Sequence, residues 1–129
     1  MAEGRVLIVE NEHIVAMGIK RMLKDLGYTV TGVAFSGEDA ICKAESTFPD
    51  VVLMDIMLKG DTDGVKAAKE IKEKFNIQVI YLTAYSDDKI LERVKTTEPL
   101  GYIVKPFDEK DLYSNIEVAL HKCKNKKND

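Results

Sequence analysis

The sequence predicts an α/β fold, a doubly wound sheet of five parallel strands with helices on both faces. Two observations carry this expectation. Five short apolar runs recur, at Arg5 to Val9, Tyr28 to Val33, Val51 to Met54, Gln78 to Leu82 and Gly101 to Val104, and segments of helical character separate them. The runs are nearly continuous in their apolar character, as strands buried on both faces are, and strict alternation with helices makes a parallel sheet. The chain of 129 residues fits one compact domain, since domains of roughly 100–150 residues bury most of their unfolded surface.

The elements follow in order. After the first run, Val15, Ile19, Met22, Leu23 and Leu26 fall on one face of a helix, and Gly27 suits the left-handed position that ends it. Ser36 suits the N-cap of a second helix, Asp63 of a third and Ser86 of a fourth. Asp108 opens a fifth, with Asp111 completing a capping box in the place usually held by Glu. Its apolar face is Leu112, Ile116, Ala119, Leu120 and Cys123. The result is (βα)5. With five strands the expected order is 2-1-3-4-5, the flavodoxin-like arrangement, whose ligand crevice lies at the carboxyl ends of strands one and three.

Polar residues gather at those strand ends. In "VLIVENEH" the first strand runs into Glu10, Asn11 and Glu12. Glu12 fits the acid-favouring N-terminus of the next helix, whereas Glu10, nearest the strand, is the better ligand. Asp55 lies inside "VVLMDIML" with no Lys or Arg beside it in sequence. A carboxylate against a dense core is unfavourable by several kcal/mol unless it finds a partner. Thr83 ends the fourth strand in "VIYLTAY", and Lys105-Pro106 ends the fifth in "GYIVKPF", where a proline makes a cis peptide a candidate. Carboxylates gathered at one crevice call for a cation, and carboxylate, amide and carbonyl oxygens suit Mg²⁺. A carboxylate nucleophile with a metal, a lysine and a hydroxyl suits acceptance of a phosphoryl group.

In order and spacing, these residues resemble the receiver domain of two-component response regulators, and the resemblance covers essentially the whole chain. It implies a single-domain, chemotaxis-regulator-like switch over residues 1–124, followed by a short basic tail, 125–129. By that resemblance Asp55 is the phosphoacceptor, and Glu10, Asn11, Asp55 and the Met57 backbone carbonyl hold Mg²⁺. Thr83, the Ala84 backbone N–H and Lys105 would contact the phosphoryl group, with Thr83 and Tyr102 as the switch pair. The donor would be a histidine kinase or phosphotransfer protein. The readout would be a changed preference for a downstream protein on the face of the fourth helix, fifth strand and fifth helix. Two departures stand out. Position 11 is Asn where the family usually has Asp, which implies weaker metal binding. The loop "MLKGDTDG" lacks the proline of "MPGMDG" and is longer.

Composition bounds the alternatives. Net charge is −3, and the last eight residues, with four lysines and Asp129, leave −6 on residues 1–121. An acidic body argues against nucleic acid as a direct partner. No apolar run is long enough for a signal sequence or a membrane span, so a cytoplasmic protein is expected. Cys42 and Cys123 stand apart from any ligand spacing and read as buried or incidental thiols. The loop after the first strand is neither a Ser/Thr/Gly-rich phosphate loop nor GxGxxG, which disfavours flavin and dinucleotide enzymes. Met57 stands where an aspartyl-nucleophile phosphatase would carry a second Asp. The expectation is a switch rather than a classical enzyme. The alternative is a pseudo-receiver that binds its partners without being phosphorylated.

Overall fold

The computed structural model describes residues 4–56, 63–83, 92, 101–105 and 107–127, with the backbone alone for 122–127. Its strands are β1 (Arg5–Val9), β2 (Thr29–Ala34), β3 (Val51–Asp55), β4 (Gln78–Thr83) and β5 (Gly101–Val104). The described helices are α1 (His13–Leu26), α2 (Gly37–Thr47), α3 (Gly64–Phe75) and the C-terminal α4 (Glu109–Lys127). All neighbouring strands pair in parallel, in the order β2-β1-β3-β4-β5, as the alternating pattern predicts. The helix expected between β4 and β5, and its Ser86 cap, lie outside the described residues.

Alternation along the strands divides the core in two. Leu7, Val9, Val52, Met54, Val79 and Tyr81 face α2 and α3, where Ala40, Ala44, Ala67 and Ile71 complete a buried cluster. Val6, Ile8, Val51, Leu53, Ile80 and Leu82 face the other way, onto Ile19 and Leu23 of α1 and Leu112, Ile116 and Ala119 of α4. Successive side chains of a strand point to opposite faces, so a run with no polar residue must be covered on both.

Capping follows the sequence signals. Gly27 is left-handed at φ 98°; its N–H donates to the Lys24 carbonyl and that of Tyr28 to the Leu23 carbonyl, a Schellman closure. This closure takes up Tyr28, so β2 begins one residue later than its apolar run. The Ser36 hydroxyl accepts from the Asp39 N–H at 3.1 Å and Asp63 from the Lys66 N–H at 2.9 Å. Asp108 and Asp111 cap each other reciprocally at 2.9 and 3.2 Å. Cys42 is exposed rather than buried, because the buried stripe of α2 is Gly37, Ala40 and Ala44. The Cys123 side chain lies outside the described residues. No described helix is long and apolar enough to cross a membrane.

Candidate functional site

The site is made where four strands end together. Register sets Val9 beside Met54, Asp55 beside Leu82 and Thr83 beside Val104. One step beyond the strands, the Glu10 N–H donates to the Ala34 carbonyl at 3.0 Å and the Lys105 N–H to the Thr83 carbonyl at 2.7 Å. Glu10, Asp55, Thr83 and Lys105, scattered over 96 positions of sequence, therefore reach one edge of the sheet.

Asp55 is the last residue of β3 and only 5% exposed. Sequence gave it no neighbouring cation; the fold brings one from 50 positions away. The Lys105 Nζ lies 3.5 Å from the Asp55 Oδ2 and 2.9 Å from the Glu10 Oε2. Glu10 is fully buried, and its Oε1 accepts from the Glu12 N–H at 3.3 Å. The two carboxylates and the ammonium thus form one compact triad.

Electrostatics follow from that burial. The Glu10 carboxyl is pushed up from 4.5 to about 7. Desolvation is the largest cause, the hydrogen bond and charge of Asp55 add to it, and Lys105 opposes it. Burial pulls the Lys105 ammonium down, but its hydrogen bond to Glu10 and the charges of Asp55 and Glu10 outweigh this and leave it raised.

The remaining expectations fall into two groups. Thr83 is buried at the end of β4 and Asn11 half-buried at the start of the loop. Glu12 is the backbone N-cap of α1, exposed, with no capping bond from its side chain. Tyr102 is 50% exposed on β5, so its ring stands outside the core. Met57, Ala84 and Pro106, and with Pro106 the possible cis peptide after Lys105, lie outside the described residues.

Two features escaped the sequence reading. One is the Lys105–Glu10 pair, since the resemblance assigns that lysine to a phosphoryl group. The other is Gly64: a Cβ there would stand 2.1 Å from the Asp55 carbonyl oxygen and 2.9 Å from the Ile56 Cα. The start of α3 therefore rests directly on the backbone that carries Asp55, an approach only glycine permits. The Asp63-Gly64 dipeptide was its signal.

A divalent cation suits this donor set. Lys105 acts as a stand-in, showing that Glu10 and Asp55 converge on one cationic position. Mg²⁺ commonly takes one or two carboxylates and keeps several waters. Among the described residues no three His, Cys, Asp or Glu side chains form a cluster; position 11 supplies an amide.

Comparison with known proteins agrees with this geometry. The family model of the response regulator receiver domain matches residues 6–117. The transcriptional regulatory protein PdtaR of Mycobacterium tuberculosis is 39% identical over 116 residues, covering 90% of this chain and 56% of that protein. The phyllosphere-induced regulator PhyR of Methylorubrum extorquens is 32% identical over 116 residues, covering 89% of this chain and 43% of its own. The chain spans about half the length of the curated relatives it matches. Among solved structures, the signal receiver domain of a modulated diguanylate cyclase from Desulfovibrio desulfuricans G20 superposes with a TM-score of 0.92 at 38% identity, over 97% of this chain and 99% of that one.

Proposed function

The chain belongs to the response regulator receiver family, and from that premise we propose that it is a phosphoryl-accepting switch with Asp55 as the acceptor. The observation that carries this reading is the placement of Asp55: nearly buried, at a strand end, with the Lys105 ammonium 3.5 Å from its Oδ2. An Asp55 oxygen attacks the phosphorus of a phosphohistidine on a kinase or phosphotransfer protein. The new O–P bond forms as the P–N bond breaks, and the donor imidazole leaves. Lys105 pairs with the phosphoryl oxygens, and the Thr83 hydroxyl donates to one of them. Glu10, Asn11 and Asp55 are the described residues suited to hold Mg²⁺, which when bound neutralises charge on the transferring group.

The phosphorylated form then favours a different partner, a population shift driven by contacts the phosphoryl group makes in one state alone. The relatives named as regulators of transcription support a regulatory output, reached through a partner protein or through further sequence. Tyr102 and Val104, exposed on β5, are the described residues best placed to belong to the readout face.

Incubation with acetyl phosphate and Mg²⁺, followed by intact mass, tests the reading. The expected result is a gain of one phosphoryl group, about 80 Da, that disappears in Asp55→Asn. One observation favours a second reading: the neutral Asn11 beside the Lys105–Glu10 pair suits a module that binds its partner unphosphorylated. Absence of any mass gain with Mg²⁺ or Mn²⁺ would select it.

A further inference from the structure

We propose that His13 is a positioning residue for the candidate site: its ring, stacked on Phe35, holds in place the turn that carries Glu10 and Asn11, as a side-chain cap ordinarily does. The inference rests on the receiver reading for what that turn serves.

The turn is short, and one piece of chain supports both its ends. Three residues, Glu10, Asn11 and Glu12, join β1 to α1. At the near end the Glu10 N–H donates to the Ala34 carbonyl at 3.0 Å. At the far end the His13 and Phe35 ring centroids lie 4.1 Å apart with the planes 24° from parallel, a stacked aromatic pair. Ala34 and Phe35 are consecutive, so the end of β2 is the common support. Phe35 is half-buried against the α1/α4 core, whereas His13 is exposed. The phenyl ring is therefore the fixed member, and the imidazole rests on it.

The start of α1 needs such a support. A helix N-terminus is ordinarily fixed by an N-cap side chain that accepts a hydrogen bond from an N–H of the first turn. Ser36 and Asp63 make that bond at α2 and α3, but the Glu12 side chain makes none, and the first turn of α1 carries no acid to meet the helix dipole. Burial of Ala16, Ile19 and Leu23 anchors the helix from Ala16 onward. Ahead of Ala16, Glu12 and Ile14 are exposed, and the His13 stack ties the helix to β2. Asn11 makes the tie consequential. A neutral amide attracts a cation less than a carboxylate does, so its contribution depends on being held in place beforehand.

Amide hydrogen exchange in wild type, His13→Ala and His13→Tyr tests the role, since tyrosine keeps an aromatic ring and alanine removes it. His13 is exposed, so both variants should fold. In His13→Ala the Glu12 and Ala16 N–H groups should exchange about threefold to tenfold faster, the factor an aromatic pair is worth, while Leu7 and Ile8 in β1 keep their wild-type rates. His13→Tyr should bring both amides back to within about twofold of wild type. Unchanged exchange at Glu12 and Ala16 in His13→Ala overturns the proposal, and so does a rise shared equally by Leu7 and Ile8, which marks a loss of global stability. Calorimetric titration of Mg²⁺ supplies a readout that a purely structural contact would not move. His13→Ala should bind about threefold to tenfold more weakly than wild type, and His13→Tyr within about twofold. Affinities unmoved beside a local rise in exchange overturn the positioning role. Wild type that binds no Mg²⁺ rejects the metal reading, and exchange then decides the proposal by itself. A failed mass gain with acetyl phosphate beside the expected exchange rejects phosphorylation alone, and a mass gain beside unchanged exchange rejects the proposal alone.

Discussion

Glu10 is the side chain with the largest change of environment on folding that bears on the site. Its carboxyl titrates at about 7 in the folded protein against 4.5 ordinarily, so between those values the folded state holds a proton that the unfolded chain has released. Without metal, the stability this confers is present in full below about pH 4.5 and is lost as pH rises to about 7, on the order of 1–3 kcal/mol. Urea unfolding at pH 5 and pH 7.5 should show that fall, and Glu10→Gln should flatten it. At the neighbouring position, Asn11→Asp adds the carboxylate that the amide withholds and should tighten Mg²⁺ binding by about tenfold. Calorimetry reads this directly, and equal affinities would show that the residue at 11 does not set the metal site. The acids at 10 and 55 were legible as site candidates because polar residues ending apolar runs have few structural uses. Their shared lysine was not, since 95 and 50 positions separate it from them.

Helices set how those side chains are held. Gly64 at the start of α3 abuts the Asp55 carbonyl, so Gly64→Ala forces the helix and the strand end apart. It should cost about 1–3 kcal/mol and also weaken phosphoryl acceptance, whereas Gly18→Ala should do the opposite for stability. Gly18 sits mid-way along α1 with open space around an added Cβ, and an exposed helical alanine is more stable than glycine by about 0.5–1 kcal/mol. Chemical denaturation distinguishes the two glycines by sign. On the same helix Ile14 is 88% exposed and Met17 half exposed, although the periodic stripe of Ile19 and Leu23 is buried as expected. At the other end of the molecule, the Tyr28 hydroxyl donates to the Glu117 Oε2 at 2.6 Å, tying the α1–β2 turn to α4. Burial, then the bond and charge of Glu117, push that phenol far above its ordinary range. Helix caps were legible because capping depends on residues three or four positions apart; the Tyr28–Glu117 bond depends on how the helices meet.

At the scale of the whole molecule, one sheet divides two cores, and the strands that end at the site belong to both. Ile8 lies in the α1/α4 core and Met54 in the α2/α3 core. Ile8→Ala and Met54→Ala should each cost about 2–5 kcal/mol, and both variants should unfold in one transition, coincident by far-ultraviolet circular dichroism and tyrosine fluorescence, because neither core can be lost while the shared sheet stands. Two separated transitions would show that the cores unfold independently. The parallel alternation and the described caps were determined by the sequence itself, through apolar periodicity and short-range capping, which act between residues a few positions apart, while the strand order followed from the arrangement that five-stranded doubly wound sheets prefer. Tertiary structure alone decided three things: that Lys105 rests on Glu10 as well as Asp55, that Gly64 braces Asp55, and that Tyr102 stands half exposed. Each depends on distances between elements remote in sequence, and those distances are set by how two cores pack on one sheet rather than by any local preference of the chain.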